Sequence, residues 1–205
     1  SGGQAANQLL ALKTERPSVS HVKIYSRDPK NCHNFARKYR SQFDIDIVPV
    51  QTPDLLIEGV DVVLCATNTN VELFDGNKLV PGQHVTGIIG SNKQLVEGGF
   101  LKKARREIDD NTAVRADVIV TNLRESMVSE EQGDLYGPIA AGLIDIGDVH
   151  ELGDLATGRH PGRTTDDQIT YHKNNNGTGV SEMAIAMTAY RRAREKGRGI
   201  EIDLN

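Results

Sequence analysis

Short apolar runs alternate with amphipathic stretches along the first 121 residues of the chain. The amphipathic stretches predict helices, because their apolar residues recur about every three to four positions. The apolar runs predict strands, and continuous runs such as DVVLCAT (61–67) are typical of strands buried on both faces of a parallel sheet. The predicted helices span 4–15, 28–39 and 53–59, and the predicted strands span 21–26, 44–50, 61–67, 84–90 and 115–121.

This alternation predicts an α/β fold with a doubly wound parallel sheet, since parallel strands need crossovers that are usually helices. After residue 123 the pattern changes to two helical pieces within 124–144, then a short helix and a Gly/Pro loop within 148–163. A last strand is predicted at 168–173 and a long helix at 180–196. That helix carries an apolar stripe formed by Val180, Met183, Ala184, Met187, Ala189 and Tyr190.

Composition narrows the classes of partner. The 205 residues include 24 Lys and Arg against 28 Asp and Glu, and without a long basic run this balance argues against a nucleic-acid partner. The absence of an apolar stretch of spanning length argues against a membrane partner, and we expect a cytoplasmic protein. Two cysteines, Cys32 and Cys65, suggest neither a disulfide framework nor a zinc site. We expect no metal site, solvated acids over 129–134, and no catalytic role for His160.

The first residues, SGGQA, stand at the amino end of the first predicted helix. A remnant of a tag is one explanation. With a glycine ahead of Ser1, the run would instead match the dinucleotide fingerprint G-x-G-x-x-G/A of Rossmann-like folds, in which the helix amino end faces a diphosphate. On this interpretation the cofactor-binding residues include Ser1, Gly2, Gly3, Gln4 and Ala5.

The fingerprint also expects an acidic residue about 20 residues further on, where it binds the ribose hydroxyl. Ser26 and Arg27 occupy that place. A hydroxyl and a guanidinium suit a 2′-phosphate, so NADP is preferred over NAD, although Asp28 leaves NAD open. After strand 61–67, a run of small polar residues is expected either to border the cofactor or to form a plain turn. That run is Ala66, Thr67, Asn68 and Thr69.

Five further stretches, in order, resemble the ornithine cyclodeaminase/mu-crystallin family. The resemblance implies that SGGQA is the inner part of a glycine turn. It also implies that the first strand of the sheet and an amino-terminal domain for substrate and dimer contacts are absent from this chain. Residues 1–173 would then form a truncated NAD(P)-binding Rossmann-like domain, and 174–205 a helix and tail that return to the absent domain. The five stretches are PGQHVTGIIGSN (81–92), REIDDNTAVRADVIV (106–120), RESMVSEEQGDL (124–135), ELGDLATGRHPGRTTDDQIT (151–170) and KNNNGTG (173–179).

The resemblance implies an NAD(P)-dependent enzyme that moves a hydride to or from an amino acid or its imine, cyclic imines included. It would be an imine reductase, an amino acid dehydrogenase or a cyclodeaminase-type lyase. Asn92 stands where the cyclodeaminase has its acid/base aspartate, and an amide transfers no proton near neutral pH. We therefore expect Asn92 to orient a substrate amine or a water by hydrogen bonds, or else to serve as a helix cap or turn residue. The resemblance adds Gly90, Ser91, Lys173, Asn174 and Gly177 as cofactor contacts.

Two other functions remain open at this point. One is a non-catalytic, NADP-dependent protein that binds a small ligand, as crystallin-like members suggest. The other is a different Rossmann-like reductase, acting on shikimate or glutamyl-tRNA. A homodimer would form through the absent domain. We expect the 205-residue chain alone to bind cofactor weakly, to be inactive, and to associate through the stripe on 180–196.

Overall fold

The structure, a computed structural model, describes residues 2–91, 93–174 and 179–202. Over these ranges strands and helices alternate as the sequence predicts, with two short 3₁₀ helices at Gly76–Lys78 and Ile146–Asp148. The strands are β1 (His21–Ile24), β2 (Asp46–Pro49), β3 (Val62–Cys65), β4 (His84–Gly87), β5 (Val118–Thr121), β6 (Val149–Glu151) and β7 (Thr170–Lys173). The helices are α1 (Gly3–Glu15), α2 (Pro29–Phe43), α3 (Pro53–Ile57), α4 (Lys93–Glu97), α5 (Asp110–Arg115), α6 (Arg124–Ser129), α7 (Gly133–Ala140), α8 (Leu152–Ala156) and α9 (Gly179–Glu195).

Every strand pair in the described residues is parallel, which confirms the predicted α/β class. β1 pairs with β2, and the other strands form a five-stranded sheet in the order β3-β4-β7-β5-β6. β7 therefore lies at the centre of the larger sheet. In its register Lys173 stands opposite both Gly87 of β4 and Thr121 of β5, so three strands end level at one edge.

Two apolar cores hold these layers. In the first core, one face of the larger sheet packs against segments between residues 73 and 139. In the second core, the smaller sheet packs against α1 and α2. Each large side chain buried in this way contributes about 1.5–3 kcal/mol. The first core includes Val63, Val85, Ile108, Met127, Leu135 and Tyr171, and the second includes Ala6, Leu9, Ile24, Phe35 and Ile47.

α2 is longer than predicted. Its amino end is as expected, because the Asp28 carboxylate accepts a hydrogen bond from the Lys30 amide and Pro29 is the first helical residue. The helix then continues four residues past 39, to Phe43. Tyr39 stacks on Phe43 with ring centroids 5.2 Å apart, one turn along the same face, and this contact favours the extra turn.

β6 was not predicted, because its residues VHE contain no apolar run. Val149 is its only buried residue, and the strand pairs with the outer side of β5. β3 differs in another way: Val63 and Cys65 are buried, but Val62 and Leu64 are half-buried. The expectation that β3 is buried on both faces is therefore wrong, while β5 is buried along its whole length.

The reason for the exposure of β3 is a cavity of about 320 Å³ between β1 and β3. Val22 to Tyr25 line one side, Val62 to Leu64 line the other, and Leu9 of α1 lies over it. In the described part of the chain neither strand has a partner on the side that faces the cavity.

α9 contrasts with the rest of the fold. None of its described residues is fully buried, and Val180, Met183 and Tyr190 each expose more than half of their surface. Among the helices of the described residues, none combines the length and apolar character that crossing a bilayer requires.

Gln83 offers a test of how the amino ends of the strands are held. Its buried amide donates to the carbonyls of Ile57 and Val60, each at 2.8 Å, and accepts from the Val80 amide at 2.9 Å. Gln83→Met keeps the length but leaves these groups unpaired, so we expect a loss of about 3 kcal/mol in the free energy of unfolding. Urea unfolding measures it, with exposed Gln94→Met as the control; equal midpoints for the two variants would contradict this role.

Candidate functional site

The candidate site is the edge at which the parallel strands end. In open α/β sheets ligands bind in the crevice outside the carboxyl ends of the strands, where the connecting loops leave the sheet. Here the loops begin at Tyr25 after β1, Ala66 after β3, Ile88 after β4, Asn122 after β5 and Asn174 after β7.

α1 points its amino end toward this edge. Near its start Ala5 lines the cavity together with Tyr25, at the carboxyl end of β1. Near its end Glu15 lines an open hollow together with Asp61, just before β3. The helix therefore runs antiparallel to β1, and its first turn lies beside the carboxyl end of that strand.

The first turn of α1 is open on its outer side. Gly2 is the N-cap residue, no described side chain caps the helix, and a Cβ at Gly2 or Gly3 would meet no described atom within 4 Å. The first N–H groups of a helix have no intrahelical acceptor, so they are available to an anion here. Gln4 is exposed, Ala5 is half-buried beside the cavity, and Ser1 lies outside the described residues.

The end of β1 presents a cation. Ser26 is half-buried and Arg27 is exposed. Within the described chain no hydrogen bond or ion pair engages the Arg27 guanidinium, whereas one oxygen of Asp28 accepts the Lys30 amide at 2.9 Å. The carboxylate is thus partly committed to capping α2, and the guanidinium faces solvent.

Glu107 joins the loops that follow β3 and β4, and sequence analysis gave it no role. Its Oε2 accepts from the Thr67 amide at 3.0 Å and from Thr67 Oγ1 at 2.7 Å. Its Oε1 accepts from the amides of Ile88 at 2.8 Å and Ile89 at 3.0 Å. The side chain is fully buried. Glu107 lies in the segment before α5, where no apolar periodicity predicts that a residue is buried. The motif REID was the only sequence feature that could have drawn attention to it.

Asp134 and Lys173 form a buried pair beneath the same loops. Oδ1 of Asp134 accepts from the amides of Glu107 at 2.8 Å and Ile108 at 3.1 Å, and Oδ2 lies 3.7 Å from Lys173 Nζ. Lys173 Nζ also donates to the Ile89 carbonyl. Both side chains are fully buried.

Burial shifts both groups toward their neutral forms. It raises the pKa of Asp134 to about 6, although the Lys173 charge and the two backbone donors act in the opposite direction. It lowers the pKa of Lys173, against the attraction of Asp134 and Glu107. The expectation of a solvated Asp134 is wrong, because the first turn of α7 directs this carboxylate into the protein. Lys173, expected to offer a donor to the cofactor, is fully buried, and its Nζ lies between the Ile89 carbonyl and Asp134.

The remaining predicted residues lie along the edge. Ser91 is buried and its hydroxyl donates to the Glu130 carbonyl at 2.7 Å. Asn174 is exposed, and its side-chain oxygen accepts from Asn122 Nδ2 at 3.2 Å. Asn92 and Gly177 lie outside the described residues. The others fall on the two loops as predicted: Ala66, Thr67, Thr69 and Gly90 are half-buried and Asn68 is exposed.

A row of polar side chains crosses one face of the sheet toward this edge and lines an open hollow of about 1170 Å³. His84 bonds Thr170 Oγ1 at 2.7 Å and Thr86 Oγ1 at 2.8 Å, and His172 bonds Asn122 Oδ1 at 3.0 Å. Burial lowers the pKa of each histidine to about 4, so both rings are neutral near pH 7.

His160 lies apart from this row, and its ring stacks on His150 at 3.6 Å between centroids. No cluster of three metal-ligating side chains occurs in the described ranges.

Comparison with known proteins gives a consistent set of relatives. The profile of the ornithine cyclodeaminase/mu-crystallin family matches residues 1–197. A Delta(1)-pyrroline-2-carboxylate reductase of Bacillus cereus is 26% identical over 90% of this chain and 53% of its own length. A putative dehydrogenase of Rhizobium meliloti is 30% identical over 97% of this chain and 56% of its own length. The chain therefore spans about half the length of these curated relatives.

A solved structure shares the fold. It is the Delta(1)-pyrroline-2-carboxylate reductase of Thermococcus litoralis in complex with NADH and L-proline, which is 26% identical. The match covers 98% of this chain and 58% of that one, with a TM-score of 0.85. The predicted Rossmann-like class is confirmed by this likeness.

Asp134 predicts a pH dependence of stability. A carboxyl whose pKa is raised on folding binds more protons in the folded state, so its contribution is present at low pH and is lost as pH rises through the folded pKa. With the pKa raised from 3.8 to about 6, the stability of wild type relative to Asp134→Asn should fall by about 2 kcal/mol between about pH 4.5 and pH 7.5.

Urea unfolding at the two pH values measures this difference. Exposed Asp166→Asn is the matched control, and its difference from wild type should change by much less than that of Asp134→Asn. A constant difference for Asp134→Asn would show that Asp134 is ionised in the folded protein across this range.

Proposed function

Because this chain belongs to the ornithine cyclodeaminase/mu-crystallin family, we propose that it supplies the nucleotide-binding half of an NAD(P)-dependent oxidoreductase. The enzyme would move a hydride between a nicotinamide and the α-carbon of an amino acid or its imine. The observation that carries the proposal is the uncapped first turn of α1, which lies beside the carboxyl end of β1. Its relatives include reductases, a dehydrogenase and a complex with NADH.

The described residues suit a dinucleotide in specific ways. The free N–H groups of α1 would bind the diphosphate, and the open space before Gly2 and Gly3 would admit it. The loops 66–69 and 88–91 and the amide of Asn174 would border the nicotinamide half. The bound nicotinamide supplies the redox chemistry, and the protein supplies orientation and the exclusion of water.

The gap between β1 and β3 supports a proposal about the domain. A further parallel strand, leading into α1 at its carboxyl end, would fill the cavity and join the two sheets into one. Residues 1–173 would then belong to a single cofactor domain. The exposed apolar residues of α9 would pack against a second domain, which would hold the substrate and contact a second subunit.

Cofactor preference is proposed from the end of β1. The exposed Arg27 guanidinium has no described partner and Ser26 offers a hydroxyl, so a 2′-phosphate would find charge and hydrogen bonds there. Asp28 already accepts the Lys30 amide, which reduces its capacity to bind a ribose hydroxyl. NADP is therefore the proposed cofactor.

Asn92 bears on the type of reaction. Its amide transfers no proton near pH 7, which favours imine reduction or amino acid oxidation over cyclisation of ornithine. The same residue favours the second candidate, a protein that binds NADP and a small ligand without turnover. The two differ in whether NADPH is consumed.

The diphosphate position can be tested with Gly3→Glu and the isosteric, neutral Gly3→Gln in the full-length protein. Neither side chain meets an atom at its Cβ. The carboxylate should raise the KM for NADPH about tenfold above that of the Gln variant, because it repels the diphosphate at the helix amino end. NADPH oxidation with cyclic imine carboxylates, followed at 340 nm, gives KM and kcat.

Equal KM values for the Glu and Gln variants would contradict the placement of the diphosphate. Binding of NADPH without turnover on a panel of imines and amino acids would favour the binding protein over the enzyme.

Arg27 predicts the cofactor preference. Arg27→Ala removes the proposed partner of the 2′-phosphate, so the KM for NADPH should rise about tenfold while the KM for NADH stays within about twofold. The exposed Arg37→Ala is the control for a general loss of positive charge. A parallel rise for both cofactors would overturn the assignment of Arg27.

A further inference from the structure

We propose that Glu107 is a positioning residue for the cofactor, because its one carboxylate fixes the two loops that follow β3 and β4. The inference rests on the proposed function, since these are the loops that would border the nicotinamide half. No part of the sequence pattern assigns this role to Glu107.

The two loops need a connection that the sheet does not supply. β3 and β4 are in register up to the pair Cys65 and Gly87, where their ladder ends. Beyond that pair no described backbone hydrogen bond joins residues 66–70 to Ile88, Ile89 or Ser91. The carboxylate of Glu107 bridges this distance with two bonds to Thr67 and one each to the amides of Ile88 and Ile89.

Only a carboxylate of this length fits the donors. Each loop directs two donors at one oxygen, and an ionised carboxylate accepts on both oxygens. A glutamine would present its NH₂ group to the donors of one loop, so it could hold only the other. An aspartate keeps the charge but is shorter by one methylene group, so it could not reach both loops.

The Glu107 backbone is itself held in place. Its amide donates to Asp134 Oδ1, and its carbonyl accepts from the Leu73 amide at 2.9 Å. Lys173, beneath the same loops, donates to the Ile89 carbonyl. Because the Glu107 backbone is fixed in this way, its carboxylate can restrict the motion of both loops.

The test uses the full-length protein with Glu107→Gln, Glu107→Asp and the exposed control Glu125→Gln. Amide exchange is measured for Thr67, Ile88 and Ile89, and for Ile119 in the centre of the sheet as a reporter of global unfolding. Both Glu107 variants should exchange about tenfold faster at the loops, with Ile119 unchanged. The Kd for NADPH, measured by calorimetry, should rise about tenfold in both and stay at the wild-type value in Glu125→Gln.

Unchanged exchange at the loops would overturn the proposal, as would equal acceleration at Ile119 or failure of both variants to fold, because Glu107 would then serve global stability only. If wild type binds NADPH and the Glu107 variants bind it equally well, the positioning role fails while the proposed function stands. If wild type binds neither NADPH nor NADH, the proposed function fails and this inference fails with it.

Discussion

The buried ionisable side chains of Glu107, Asp134 and Lys173 are the constraint on which the carboxyl edge depends. Three ionisable side chains with no solvent exposure would be costly if any were left without partners. Here each has partners on other segments: Glu107 accepts from the loops after β3 and β4, Asp134 accepts from the segment before α5, and Lys173 donates to the Ile89 carbonyl after β4. Loss of one of these contacts would leave a buried polar group without its partner. The three side chains therefore hold the segments in one arrangement.

The fold class could be predicted from the sequence because its signals are local. The apolar runs at 84–90 and 115–121 are continuous, and Asp28-Pro29 is a strong start signal for a helix. What could not be predicted depends on tertiary contacts. β6 exists because its edge meets β5, and the last turn of α2 exists because Phe43 reaches Tyr39 and the core. Neither contact leaves a mark in a window of a few residues.

The candidate site divides along the same line. The common edge shared by the start of α1, the end of β1 and the loops at 66–69 and 90–91 could be predicted from the sequence. Parallel topology alone places the carboxyl ends of the strands together. Burial of charge could not be predicted in the same way. Asp134 lies among acids that do face solvent, such as Glu130, and Lys173 precedes a polar run in the sequence, so composition predicts exposure for both. Their inward orientation follows from the turn geometry of α7 and from the position of β7 within the sheet.

The place of β7 has a consequence for how the chain acquires its structure. Among the described strands of the larger sheet the central one comes last in the chain, and His84 of β4 is separated by 86 residues from its partner Thr170. Until that segment has left the ribosome, β4 and β5 each keep an open inner edge and most of the apolar surface beside it. Pairings between residues so far apart in sequence form slowly, because closing the intervening chain costs entropy before any stabilising contact forms. During synthesis there is therefore a stage at which β3 and β4 on one side, and β5 and β6 on the other, lack the strand that joins them. Protection from aggregation matters most at that stage.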